Sequence, residues 1–214
     1  MKKLLLSLTA IFLLVSAAGV AVADNSALKK ELSAKTSKEL RKEAKKLEGD
    51  GWQIMPGKLP LEKQLEQSQI AQLRKTDDGE SYFITGSASV VGGNYTIAKQ
   101  MADNNAKLEI CRNLSDMLAS KMTQELSNMD MGGNQAEALY EVASAAKSVS
   151  TMQLKGTEYL LEIFRDLGKG KTEVRVVMAI SREKALSQAK EEIKKSLKEK
   201  SSQNLKDLDA ILPY

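Results

Sequence analysis

Residues 81–122 read SYFITGSASVVGGNYTIAKQMADNNAKLEICRNLSDMLASKM, and their reading decides the fold. In the first ten positions Tyr82, Ile84, Gly86, Ala88 and Val90 alternate with Phe83, Thr85, Ser87 and Ser89, the period of two that belongs to a strand with two different faces. Gly92-Gly93 breaks the alternation, and Asn94 is placed to cap a helix. Beyond it the period changes. Ile97, Met101, Leu108, Cys111, Leu114, Leu118 and Met122 recur every three or four residues, which predicts a helix from Tyr95 to about Asn128 with those side chains toward a core. Ala98, Ala102 and Ala106 add a row of small residues at a spacing of four, and small side chains let a helix axis approach a sheet closely. At 1.5 Å per residue such a helix is roughly 50 Å long, so it must bend or overhang the domain.

Working outward, Leu154 to Leu167 and Thr172 to Ser181 flank Gly168-Lys169-Gly170, an expected hairpin whose glycines suit positive φ. Val174, Val176, Met178 and Ile180 share one face of its second arm. Ser181 is expected to cap a last helix with Ala185, Ala189, Ile193 and Leu197 on its buried edge and a Glu191 to Lys195 pair on its wet side. Asp130 to Asn134 should end the long helix, and Ala136, Leu139, Tyr140, Ala143 and Ala146 support another. Upstream, Thr36-Ser37-Lys38-Glu39 matches a capping box before Leu40, Ala44 and Leu47. Trp52 and Ile54 alternate as a short strand would, Pro56-Gly57 is a turn signal, Pro60 opens a helix to Arg74, and Thr76 to Gly79 is a turn. The order strand, long helix, helix, strand, strand, helix lacks the regular repeat of a doubly wound sheet. It predicts a two-layer α/β (α+β) sandwich, with a small mixed or antiparallel sheet under the long helix and an extra N-terminal helical segment.

The front of the chain carries an address. Lys2 and Lys3 precede an apolar run from Leu4 to Val22 and the small-residue pattern Ala21-Val22-Ala23, which predicts a signal peptide over residues 1–23 cleaved after Ala23. A run of ~20 apolar residues would also suffice as an anchor, but Ser7, Thr9, Ser16 and Gly19 dilute it. No Cys lies near the cleavage point to accept a lipid. The expected segments are then 24–51, helical; 52–200, the α/β domain; and 201–214, a tail carrying Leu205, Leu208 and Leu212. The product is expected in the periplasm or outside the cell, without a stable membrane anchor.

Composition narrows the chemistry. The 214 residues are 42% hydrophobic and 28% charged, which excludes wholesale disorder, collagen-like repetition and a multi-span membrane protein. The formal charge is +4, but residues 1–23 hold Lys2, Lys3 and no acid, so the remainder has 30 basic and 28 acidic residues and a net charge of +2. Nothing in that balance calls for a nucleic-acid partner. With no His and one Cys, Cys111, the usual zinc sites and every Ser-His-Asp or Cys-His arrangement are impossible, and Cys111 is expected as a buried thiol.

Several strings imitate functional motifs. Gly170-Lys171-Thr172 ends like a phosphate-binding loop, but the leading Gly would fall at Arg165 and Thr172 begins a strand. Gly92-Gly93-Asn94 before a helix could offer N–H groups to an anion, although a strand stop and a cap explain it without one. Asn128, Asp130 and Gly132 hint at a calcium loop whose twelfth position would be Leu139 rather than Glu. Met117, Met122, Met129 and Met131 could hold Cu(I), and equally fill a core. Asn94-Tyr95-Thr96 and Asn113-Leu114-Ser115 fit the glycosylation sequon by chance-level patterns. Catalysis is left with lysines or paired carboxylates, and Glu109, Asp116, Glu158 and Glu162 are the acids in view. No catalytic residue, cofactor or metal is expected.

Gly86-Ser87-Ala88-Ser89 followed by Ala98-Lys99-Gln100-Met101-Ala102, then Gly156 through Asp166 and the extended Val174 to Ile180, resembles the LPP20 lipoprotein family of bacterial envelope proteins, which includes the amino-terminal domain of a flagellar assembly protein. The resemblance covers roughly residues 80–195 and departs from the namesake in lacking the lipid-attachment Cys. It implies a cell-envelope protein with a compact α/β domain and no known catalytic residues. The expectation is therefore an exported, non-enzymatic binding or assembly module whose partner is another envelope protein or its own copies. The alternative is a periplasmic ligand carrier or a hydrolase using paired carboxylates.

Overall fold

The structure, a computed structural model, describes residues 38–128 and 134–199. The signal segment, the Thr36 capping position, the calcium-like loop and the tail from 201 lie outside the described residues. Helix α1 (residues 38–49) and α2 (Leu61–Leu73) precede β1 (Phe83–Gly92), α3 (Tyr95–Asn128), α4 (Asn134–Ala146), a 3-10 turn (Lys147–Thr151), the hairpin β2 (Glu158–Gly168) and β3 (Lys171–Ser181), and α5 (Arg182–Glu199). The fold is α+β, with one three-stranded sheet in the order β1-β3-β2. Both strand pairs are antiparallel. None of the described helices is long and apolar enough to cross a membrane.

The hairpin turns where positive φ is available: Gly168, Lys169 and Gly170 lie at φ 77°, 54° and 72°. β1 pairs with β3 in continuous register from Phe83↔Ser181 to Gly92↔Thr172. β2 is shorter at its start than the sequence suggests, because residues 154–157 run outside the ladder, and its pairing shifts between Tyr159 and Leu161. That bulge puts Leu160 and Leu161 side by side and restores the alternation at Glu162. Trp52 to Ile54 forms no full strand; Gln53 alone bridges Phe164, with N–H···O distances of 2.7 and 2.9 Å.

The long helix lies on the sheet as its alanine row predicts. Ala98, Ala102, Ala106 and Ile110 are fully buried against Ile84, Val174, Val176 and Met178, and Ala185, Ala189, Ile193 and Leu197 of α5 join the same core. The approach is close enough that a Cβ on Gly86 would run into the Ala106 carbonyl and come within 2.8 Å of Ile110 Cγ1, and a Cβ on Gly92 within 2.7 Å of the Ala98 nitrogen. Gly92 opposite Ala98 and Gly86 opposite Ala106 also set direction: α3 runs back along β1, antiparallel to it.

The Ala row, not the bulky row, makes this contact. Ile97 and Met101, expected in the core, are 48% and 47% exposed, because each lies one residue before a buried alanine and so about 100° around the helix. Tyr140 is likewise 65% exposed. On α5, Glu191 pairs with Lys194 at 3.7 Å instead of Lys195.

The second face of the sheet is covered on its β2 side. Ala44 and Leu47 of α1, Trp52, and Leu61 and Leu65 of α2 pack on Leu161 and Ile163, while Ala71 packs with Leu160 and Ala179. Trp52, 3% exposed, lies between the guanidinium groups of Arg165 and Arg175, 4.7 and 4.5 Å from its ring. Burial lowers the Arg175 pKa, opposed by nearby Glu173, and raises that of Glu43 on α1, opposed by Arg175.

Candidate functional site

Two regions concentrate polar or exposed groups that packing alone does not explain. The first is a buried charge network between α3 and β2. Tyr95, Lys99 and Asp103 stand at i, i+4 and i+8 on α3, which aligns them along the helix side facing β2. Glu162, 3% exposed, meets them from the sheet because its register partner is Val176, a residue of the α3-facing core. Tyr95 donates to Glu162 Oε1 at 2.6 Å, Lys99 donates to Asp103 Oδ2 at 2.7 Å and to the Tyr159 hydroxyl at 2.6 Å, and Tyr159 donates to the same Asp103 oxygen at 2.7 Å. Lys58, on the turn after Trp52, reaches Glu162 Oε2 at 3.2 Å. From α2, Gln64 accepts from the Glu162 N–H at 2.7 Å and donates to the Leu59 carbonyl.

Two carboxylates and two ammonium groups balance, and the network holds the edge strand to the helix. Its groups are tuned for that task. Burial and the Glu162 carboxylate push the Tyr95 hydroxyl well above the usual phenol range. Burial pulls Lys99 down, but its hydrogen bonds to Asp103 and Tyr159 and the charge of Glu162 outweigh this, so the ammonium form is favoured. Tyr159 is raised by burial. A general acid or base serves best when its pKa is moved toward neutrality, and these three shifts all move away from it.

The second region is the outer edge of β1. Its side groups are identified by α3: the Ser87 N–H donates to Glu109 Oε2 at 2.7 Å, and Asn113 donates to the Thr85 carbonyl at 3.1 Å. The backbone groups of odd-numbered residues therefore point away from β3. Glu109 and Asn113 satisfy one outward group each, the Ser87 N–H and the Thr85 carbonyl, while both outward groups of Ser89 and of Val91 have no partner among the described residues. Beside them lies a cleft of about 420 Å³ lined by Ser87, Ser89, Asn105, Leu108, Glu109 and Arg112. Ile97 and Met101 stand half-exposed further along the same side of α3, and Val91 is 49% exposed at the end of the strand. A second cleft of similar volume, between Gln153, Lys155 and α5, is lined by Glu191, Glu192 and Lys195.

The acids singled out in the sequence scatter. Glu109 seals the β1 edge, Asp116 and Glu158 are exposed, and only Glu162 enters the network. Its companions Lys58, Asp103, Tyr95 and Tyr159 were not anticipated; the one available signal was the polar i, i+4, i+8 row beside the alanine row. Asn94 caps α3 by accepting from the Ile97 N–H at 2.9 Å, so its side chain occupies the place the anion reading needed. Gly170-Lys171-Thr172 runs from the hairpin turn into β3. Met122 is buried in the core and Met117 packs against it, while Met129 and Met131 lie outside the described residues. Cys111 is buried beside the Met152 carbonyl, and burial raises its thiol pKa. No protein-family model matches the chain, and no match is found among curated proteins or solved structures.

Proposed function

We propose that this chain is an exported, non-catalytic module of the bacterial cell envelope, in keeping with its resemblance to LPP20-type proteins, and that it works by binding a protein partner. One observation carries this reading: an edge strand whose Ser89 and Val91 backbone groups have no partner among the described residues, beside the half-exposed apolar side chains of Ile97 and Met101. Open strand edges and clustered exposed apolar groups are liabilities in a free monomer and assets in a binding surface. The alternative, a carrier or hydrolase with paired carboxylates, has Asp103 and Glu162 as its available pair, and both are engaged by lysines and tyrosines away from either cleft.

The test is site-specific photo-crosslinking from Met101 in the native cell, followed by mass spectrometry. A discrete adduct with an envelope protein is expected. A mature chain that stays monomeric at high concentration, retains nothing from envelope extract and yields no adduct overturns the reading. The same preparation reports its amino terminus: Asp24 is expected, and Met1 refutes cleavage.

A further inference from the structure

We infer that the open half of β1 is a strand-addition site for an extended segment of a partner protein, bound antiparallel with a carboxylate near its C-terminal end against Arg112. The inference rests on the binding reading above and names the mode of that same surface. Four backbone groups carry it, the N–H and C=O of Ser89 and of Val91, which the register and the Ser87–Glu109 hydrogen bond aim away from β3. Main-chain hydrogen bonds to such an edge supply affinity, and alternate side chains of the added strand read the walls. Here one wall is Met101, Ile97 and Leu108 on the α3 side, and the other is Val91 on the opposite face.

A second copy of this chain fits poorly. Because α3 lies directly over β1, contacting Gly86 and Gly92, pairing β1 with its own symmetry mate would draw two α3 helices toward the strand spacing of about 4.8 Å, whereas packed helices need about 8–10 Å. An extended segment with no helix above it meets no such conflict. The ends of the open stretch are marked by α3, which runs antiparallel to β1: Ile97 and Met101 stand at the Val91 end and Arg112 at the Ser87 end. Antiparallel pairs outnumber parallel ones roughly two- to threefold. An antiparallel guest therefore begins near Val91 and finishes at Arg112. Arg112 is exposed, lines the cleft and has no acidic partner among the described residues, while Glu109 beside it is committed to the Ser87 N–H and stops the ladder there. A guanidinium so placed complements a carboxylate, either an acidic side chain or a chain terminus.

The experiment selects binders of the mature chain from a phage library of random peptides with free C-termini, then measures the enriched peptides as synthetic fluorescent probes by anisotropy. Enriched sequences should alternate apolar residues and end acidic. Val91→Pro, which removes one outward N–H that a solvent-facing edge can spare, and Arg112→Glu should each weaken binding by about tenfold or more, with Arg41→Glu on α1 as the unaffected control. Thermal melting by circular dichroism must match the parent for all three, and Val91→Lys replaces Val91→Pro if it does not. No enrichment, enriched peptides indifferent to Val91→Pro and Arg112→Glu, or a concentration-dependent dimer abolished by Val91→Pro would overturn the inference. A Met101 crosslink that persists in Val91→Pro preserves the binding reading and removes the strand addition.

Discussion

Replacing Gly86 with alanine tests whether the helix and sheet are as close as the glycine implies. The added methyl meets the backbone carbonyl of Ala106 and lies 2.8 Å from Ile110 Cγ1, where apolar atoms rest at ~3.5–4.0 Å, so α3 must withdraw by about 1 Å. A backbone carbonyl cannot swing aside as a side chain can. A withdrawal of that size forfeits about a quarter to a half of the dispersion between facing atoms, and it acts on Ala98, Ala102, Ala106 and Ile110 together, all fully buried. Overpacking of this kind costs about 1–3 kcal/mol and occasionally more, and the upper end applies here. At about 2–4 °C per kcal/mol for a chain of this size, the melting temperature should fall by about 6–12 °C. Gly93→Ala is the matched control, because a Cβ there meets nothing within 4 Å; it should stay within about 0.5 kcal/mol of the parent. Both are read by calorimetry or circular dichroism on the purified protein. If Gly86→Ala melts within a degree or two of Gly93→Ala, the close approach of α3 to β1 is wrong, and with it the placement of the β1 cleft.

The buried groups set three further outcomes. Glu162→Gln keeps an acceptor for Tyr95 but removes the charge facing Lys58 and Lys99, and should cost about 1–3 kcal/mol in urea unfolding with the m-value unchanged; an unchanged midpoint would show that both lysines are served by water. At high pH, Lys99 and Tyr95 act in the same direction. The folded pKa of Lys99 is raised, so its contribution is complete below its unfolded value of about 10.4 and is lost as pH climbs through the folded one; Tyr95 is held protonated by the fold, so the unfolded chain releases that proton first, above about pH 10. The urea midpoint should be flat across neutral pH, begin to decline above about pH 8.5 as the unfolded Cys111 thiol ionises, and decline further above about pH 10, that second part less steeply in Tyr95→Phe; a midpoint that holds or rises above about pH 10 contradicts the network. Cys111, buried with its thiol pKa raised by burial, should react with a disulfide reagent only as the chain unfolds, its rate tracking the urea transition; rapid modification of the native protein would place the thiol at the surface.

Much of the architecture was legible because it rests on local rules. Alternation in β1, the alanine row of α3 and the Gly-Lys-Gly hairpin each state their conformation within a few residues, and the observed bounds of α3 are the expected ones at both ends. The failures share a cause. Periodicity records that a face is apolar but not which of two adjacent rows the partner selects, and the glycines of β1 select the small one, rotating Ile97 and Met101 outward. β2 begins late and Leu160 bulges because its start is decided by pairing with β3, Glu158 with Ala179 and Tyr159 with Met178, rather than by its own apolar run. Glu162 reads as a solvated acid on a strand, since the groups that enclose it come from positions 58, 64, 95 and 99; only Tyr95 and Lys99 share a helical spacing, and nothing local ties any of the four to residue 162.

The same long-range placement explains why the open edge at Ser89 and Val91 carries functional weight. Elsewhere parts of this small sheet's edges are covered. The Gln64 side chain accepts from the Glu162 N–H on the outer edge of β2, the backbone of Gln53 bridges that of Phe164 two residues on, and the Gln188 side chain of α5 both accepts from the N–H and donates to the carbonyl of Lys155 just before that strand. On β1, Glu109 and Asn113 do the same for Ser87 and Thr85. One further turn toward the N-terminus of α3, the positions that would continue this cover over Ser89 and Val91 include Asn105 and Met101, and neither reaches a backbone group of the strand. An uncovered edge invites unwanted pairing. Among the described residues, the uncovered backbone groups of Ser89 and Val91 therefore lie beside half-exposed Ile97 and Met101, the combination on which the binding proposal rests.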